Sequence, residues 1–128
     1  MATQVPALVD RARRDDRSLA VILFGSMARG DAGPGSDVDI CLVLDGKATD
    51  SLAASRTRLD YAMYWDADVQ VFEQLPLYVR RRVLREGEVL FVRDQDALYA
   101  LACRTARQYA AFRPYYQAYL AEVARARP

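Results

Sequence analysis

Asp37 and Asp39 stand two residues apart at the head of an apolar run, DVDICLVL, that reads as a strand over 37–44. Side chains two apart on a strand project from one face, so these carboxylates share a side and repel unless a cation lies between them. A hard, oxygen-ligated Mg²⁺ suits such a pair. Upstream, across a spacer of ten residues, Gly25 and Ser26 close an earlier apolar run, LAVILF. Gly25 lets the backbone turn sharply with close access to a ligand. Ser26 then opens a short helix whose free N–H groups and hydroxyl form an anion site fit for a phosphate. A phosphate cradle facing a carboxylate pair across neighbouring strands is the layout for metal-assisted phosphoryl or nucleotidyl transfer. A third carboxylate would complete a two-metal site. Asp68, opening the strand DADVQVF, is the candidate, with Asp66 of the same parity as the fallback.

These residues need strands to aim them and helices to cover the strands. The pattern predicts an amphipathic helix over 5–17, a doubly buried strand over 19–24, and a turn plus one short helix in GSMARGDAGPGS. A helix follows over 49–64, with Asp50 or Ser51 as its cap and Leu52, Leu59 and Met63 on its apolar face. The strand over 66–72 has its core side on Val69 and Val71. A helix over 77–85 ends at Gly87, and 88–92 reads as a short edge strand. From Asp94 onward the chain is helical, with Pro114 predicted to kink or split the helix. Leu98, Ala102, Thr105, Tyr109, Phe112, Tyr116, Tyr119 and Val123 form one stripe of it. Two readings of this stripe stand side by side: packing on the protein's own sheet, or a partner surface. Six aromatics between Tyr99 and Tyr119 exceed what the short edge of a small sheet covers, and aromatics are enriched at interface cores.

With 128 residues, 52% of them hydrophobic, the chain suits one compact domain. It contains no histidine, which excludes serine–histidine and cysteine–histidine triads and histidine-ligated zinc. A net charge of +1 argues against a dedicated DNA-binding domain. The run Arg80-Arg81-Arg82 with Arg85 accordingly reads as a solvated helix face rather than a nucleic-acid patch, with contact to an acidic partner surface as the other use of Arg82 or Arg85. All basic residues but Lys47 are arginine and asparagine is absent, a pattern of coding bias. Cys41 and Cys103 lack metal-type spacing and read as buried thiols of a reducing compartment. With no apolar stretch approaching membrane length and no signal-peptide core in the first 18 residues, a cytoplasmic location is expected.

The stretch GSMARGDAGPGSDVDICLVL resembles the signature of the polymerase-β-type nucleotidyltransferase superfamily, in its minimal nucleotidyltransferase (MNT) branch. DADVQVFEQLPLYVRRRVLREGEVLFVRD is similar to that branch's third-aspartate strand with its following helix and short strand, and the final segment resembles its aromatic-rich tail. The resemblance implies an α/β (α+β) fold, a small mixed β-sheet flanked by helices, with a long C-terminal helical segment. It implies that Gly25 and Ser26 bind the triphosphate of ATP, that Asp37 and Asp39 hold two Mg²⁺, and that Asp68 shares one metal and helps deprotonate the attacking hydroxyl. Arg29 and Ser36 fall on matching nucleotide-binding positions; a surface salt bridge and an ordinary turn or cap are their alternatives. The chain is then a single domain, with 1–93 as catalytic core and 94–128 as partner surface.

The implied activity is that of an antitoxin which transfers AMP from ATP to a tyrosine of a HEPN-family ribonuclease toxin. HEPN ribonucleases carry an Arg…His motif, so a chain without histidine is not the toxin of such a pair. Two alternatives are an antitoxin that masks its toxin non-covalently and a small-molecule (drug) nucleotidyltransferase. For the last, the chain lacks the extra helical domain that holds the drug.

Overall fold

The computed structural model describes residues 4–25, 38–44, 50–62 and 67–126. The elements in chain order are α1 (Val5–Arg14), β1 (Ser18–Phe24), β2 (Val38–Leu44), α2 (Ser51–Asp60), β3 (Ala67–Val71), a 3₁₀ turn (Phe72–Gln74), α3 (Leu77–Glu86), β4 (Glu88–Val92) and α4 (Gln95–Ala126). The strands form one mixed sheet in the order β3-β2-β1-β4; β1 runs antiparallel to β2 and β4, and β2 runs parallel to β3. This is the expected small mixed sheet flanked by helices. The expected short helix after Gly25 falls on residues outside the described ones.

Apart from Ser18 and Asp39 near their first residues, both central strands are apolar, because both faces of the sheet are covered. On one face, Val21, Ile40, Leu42, Leu44, Val69 and Val71 pack with Leu8 and Ala12 of α1, Ala54 of α2, and Tyr61. On the other, Ala20, Ile22, Cys41 and Val43 pack with Phe72 and Val83, under Val79 of α3 and Ala97, Leu98 and Leu101 of α4. Alternation along β2 therefore assigns its odd-numbered residues, Asp39 included, to the face shared with α3 and α4.

The buried face of α2 differs from the one its large apolar residues predict. In α2 the buried positions are Ala54 and Thr57, while Leu52 and Leu59 on the opposite side are 62% and 73% exposed. Small residues win the inner face because they let the helix lie close to β3, where the Arg58 Nε–H donates to the Val69 carbonyl at 3.1 Å. Met63 lies outside the described residues. The cap is Asp50, which accepts from the Ala53 N–H at 2.8 Å.

The joint between α1 and α2 is polar. Arg17 bonds Asp15 at 2.8 Å and Asp60 at 3.0 Å, and the buried Tyr61 hydroxyl donates to Asp15 Oδ2 at 3.0 Å. The Arg17 guanidinium holds the Asp15 carboxyl well below the usual range, at about 2. Arg93, just after β4, donates to the carbonyls of Ala12, Arg13, Asp15 and Ser18 at 2.9–3.0 Å. A fixed guanidinium thus adds a charged donor to the carbonyls around the end of α1, two of which, Ala12 and Asp15, also accept from the Asp15 and Ser18 N–H groups, and the helix dipole favours positive charge there.

Pro114 does not split the last helix, which runs unbroken for 32 residues. The carbonyl deprived of its helical partner belongs to Ala110, which is exposed, so the loss leaves no buried unsatisfied group. A helix of that length spans about 48 Å, roughly twice the reach of a seven-residue strand. Packing on the protein's own sheet therefore accounts for only part of the stripe. Leu98 and Leu101 pack on the sheet, Thr105 is 1% exposed, and Tyr116 stacks on Tyr78 of α3 at 5.4 Å. Farther along, Tyr115 and Tyr119 are 75% and 63% exposed, with Leu120 and Val123 beside them. No helix among the described residues is long and apolar enough to cross a membrane.

Candidate functional site

The register across three strands brings the candidate acids together. Phe24 of β1 pairs with Asp39 of β2, and Asp39 pairs with Asp68 of β3. Paired residues share a face, so both carboxylates stand side by side on the α3/α4 face, at strand positions about 4.8 Å apart. They occupy the end of the sheet where β1 finishes and β2 begins. Below them, residues of the same parity, Cys41 and Val43, are fully buried, whereas Asp39 is half-buried and Asp68 exposed. The acids form the rim of a face whose floor is core. Burial pushes the Cys41 thiol up and keeps it protonated.

Gly25 closes the same corner. Its φ is +77°, in the left-handed region open to glycine, and a Cβ there would overlap Asp39 Oδ2 and stand 3.1 Å from Asp39 Cγ. Glycine is thus required twice, by the backbone and by the carboxylate that lies against it. Asp68 accepts a hydrogen bond from the Gln70 Nε2 at 3.0 Å. Gln70 escaped the sequence reading, although its place two residues after Asp68 on a strand was signal enough. Of the other expected site residues, Ser26, Arg29, Ser36 and Asp37, and the fallback Asp66, lie outside the described residues.

Asp39 and Asp68 offer oxygen donors alone from adjacent register positions, the donor chemistry taken by a hard divalent cation such as Mg²⁺. Among the described residues no third acid, cysteine or histidine joins them. A cavity of about 1050 Å³ lies at the opposite end of the sheet between Leu19, Leu44, Glu73, Arg80 and Arg104, and neither acid lines it. There burial raises the Glu73 carboxyl above its ordinary range, while the Leu44 N–H donates to it at 3.3 Å. The arginine run is less uniformly solvated than its sequence suggested. Arg82 and Arg85 are exposed, but the Arg81 guanidinium lies 4.5 Å over the Tyr109 ring and Arg80 Nε is buried. The cause is α4, which packs along α3 and covers that flank.

The chain resembles known proteins in sequence and in fold. A Methanocaldococcus jannaschii protein provisionally named a protein adenylyltransferase is 31% identical over 71 residues, 56% of this chain and 53% of that protein. The chain thus matches about half the length of that curated relative. A toxin–antitoxin crystal structure with AMP-PNP superposes with a TM-score of 0.72 at 22% identity, covering 94% of this chain and 98% of the other. A structure of a tri-AMPylated Shewanella oneidensis HEPN toxin in complex with an MNT antitoxin gives 0.68 at 20% identity, over 97% and 99% of the two chains. At these identities the structural likenesses speak to the fold. The sequence profile described as polymerase beta, nucleotidyltransferase matches residues 7–96, and the chain belongs to that family.

Proposed function

We propose that this protein is a Mg²⁺-dependent nucleotidyltransferase that moves AMP from ATP to a tyrosine of a HEPN-type toxin and so acts as its antitoxin. The observation that carries the reading is the in-register pair Asp39–Asp68 against a left-handed Gly25, in a chain of this family. The structural neighbours that contain AMP-PNP and an AMPylated HEPN toxin support the choice of nucleotide and acceptor. Asp39 and Asp68, with Asp37, would hold Mg²⁺, which supplies Lewis acidity at the phosphates and lowers the pKa of the attacking hydroxyl. Asp68 would take that hydroxyl's proton; its exposure at the rim and the Gln70 hydrogen bond to one of its oxygens support this role. Gly25, Ser26 and the following backbone would cradle the triphosphate, with Arg29 and Ser36 as further contacts. The acids lie at an open edge, which suits an acceptor carried by another protein.

The exposed aromatic half of α4 supports a contact with that partner through 94–128, and also favours a second reading, in which the protein masks the toxin without modifying it. Two unpaired cysteines fit a cytoplasmic setting for either. Incubation of the protein with ATP, Mg²⁺ and the product of the adjacent gene, followed by intact-mass measurement, separates the two. A gain of whole AMP units that is lost in Asp39→Asn and Asp68→Asn supports transfer. Tight complex formation with no mass gain refutes it and leaves masking.

A further inference from the structure

We propose that Arg82 binds the β- and γ-phosphates of the nucleotide and carries charge on the departing pyrophosphate. The inference rests on the nucleotidyl-transfer reading and extends it to a residue that reading does not use. Helix α3 lies on the sheet face that bears Asp39 and Asp68, anchored there by Val79 and Val83. Arg82, between those two anchors, reaches the end of β1. With Phe24, Gly25, Val79, Val83 and Glu86 it lines a cavity of about 100 Å³. Gly25 therefore has Asp39 against it on one side and opens onto the Arg82 cavity on another.

Among the described residues the charge of Arg82 is uncommitted. Glu86 stands one helical turn away and lines the same cavity, yet among the described residues Arg82 forms no ion pair or hydrogen bond. Its neighbours are differently placed: Arg81 lies over Tyr109, and Arg80 lines the cavity at the far end of the sheet. Arg82 is the member of the run that borders Gly25.

The reaction gives such a charge its use. A bond forms between the acceptor oxygen and the α-phosphorus. The bond from the α-phosphorus to the bridging oxygen breaks with its electron pair on pyrophosphate, and the hydroxyl proton passes to a carboxylate of the acid set. Negative charge thus grows on the leaving group. A planar guanidinium meets phosphate oxygens in bidentate fashion and stays protonated throughout.

The test compares wild type, Arg82→Gln and Arg82→Lys for affinity toward ATP and AMP, and for inhibition of transfer by pyrophosphate. Arg85→Gln, on the same helix but away from the cavity, is the control with wild-type values. Loss of one charge-assisted phosphate contact lowers ATP affinity and pyrophosphate inhibition by about tenfold or more in Arg82→Gln. AMP, which lacks the β- and γ-phosphates, binds unchanged, and Arg82→Lys recovers part of the loss. Wild-type ATP affinity in Arg82→Gln, or an equal loss for ATP and AMP, overturns the inference alone. A wild-type protein that neither binds ATP nor transfers AMP overturns the parent reading with it.

Discussion

Replacing Gly25 with alanine perturbs the corner where backbone geometry and candidate chemistry meet. Two costs follow from the structure. The φ of +77° places alanine in the left-handed region, worth about 1–2 kcal/mol for a residue with a Cβ. The new methyl also overlaps the Asp39 carboxylate, and displacing a packed group costs about 1–3 kcal/mol. Asp39 is half-buried and can swing aside, so the lower end applies, and the sum is about 2–4 kcal/mol. With about 2.1 cal/mol/K of unfolding entropy per residue, a chain of 128 residues loses roughly 7–15 °C in Tm. Thermal unfolding by circular dichroism reads this directly. The same substitution in an Asp39→Ala background removes the carboxylate overlap and leaves only the backbone cost. The cycle should then show a coupling of about 1–2 kcal/mol between the two positions. Equal costs in both backgrounds would mean that Gly25 and Asp39 do not touch, and the site as described would fail. Wild-type stability of Gly25→Ala would refute the left-handed turn as well.

The remaining predictions concern the frame around the site. Asp15 has a folded pKa of about 2, below its ordinary 3.8, so its stabilisation is present above pH 3.8 and disappears as pH falls toward 2. Asp15→Asn should therefore cost about 1 kcal/mol at pH 7, reduced from the full linkage value because Arg17 is partly exposed, and urea titrations should show the gap closing near pH 2. A gap that persists unchanged to pH 2 counts against the Arg17 pairing. Arg93→Ala should cost about 1–3 kcal/mol, since one charged donor shared by the carbonyls of Ala12, Arg13, Asp15 and Ser18 is lost; Arg93→Lys should recover little of it, because an ammonium cannot reproduce the fork. Full rescue by lysine would show that charge alone matters there. Of the two thiols, Cys103 should react with a disulfide reagent in the native protein while Cys41, fully buried with its pKa raised, reacts only after unfolding. Equal native rates would contradict the packing of β2.

Strand positions were legible wherever apolar residues ran together or alternated. LAVILF, DICLVL and DVQV became β1, β2 and β3 because a strand's period of two is a local property. The same periodicity predicted that Val69 and Val71 face the core and that Asp68 does not. Two helix ends were legible, since Asp50 and Gly87 act on their own neighbours, whereas the helices expected over 5–17 and 49–64 stop at Arg14 and Asp60, where the chain turns into its tertiary contacts. Helix faces were less so. Leu52 and Leu59 promised an apolar face for α2, but the sheet accepts the small face of Ala54 and Thr57, a choice set by how closely α2 approaches β3. The stripe on α4 told the same story in length: its pattern is continuous, and only the extent of the sheet decides where burial ends and exposure begins. Spacing alone established that an acid pair and a glycine turn exist in this chain. That Asp39 and Asp68, 29 positions apart, stand shoulder to shoulder depended on the parallel pairing of β2 with β3. That Gly25 presses on Asp39 depended on the antiparallel register of β1. Pairing between distant strands is chosen by the whole core at once, so no local pattern encodes it, and it is this choice that turns separate residues into a site.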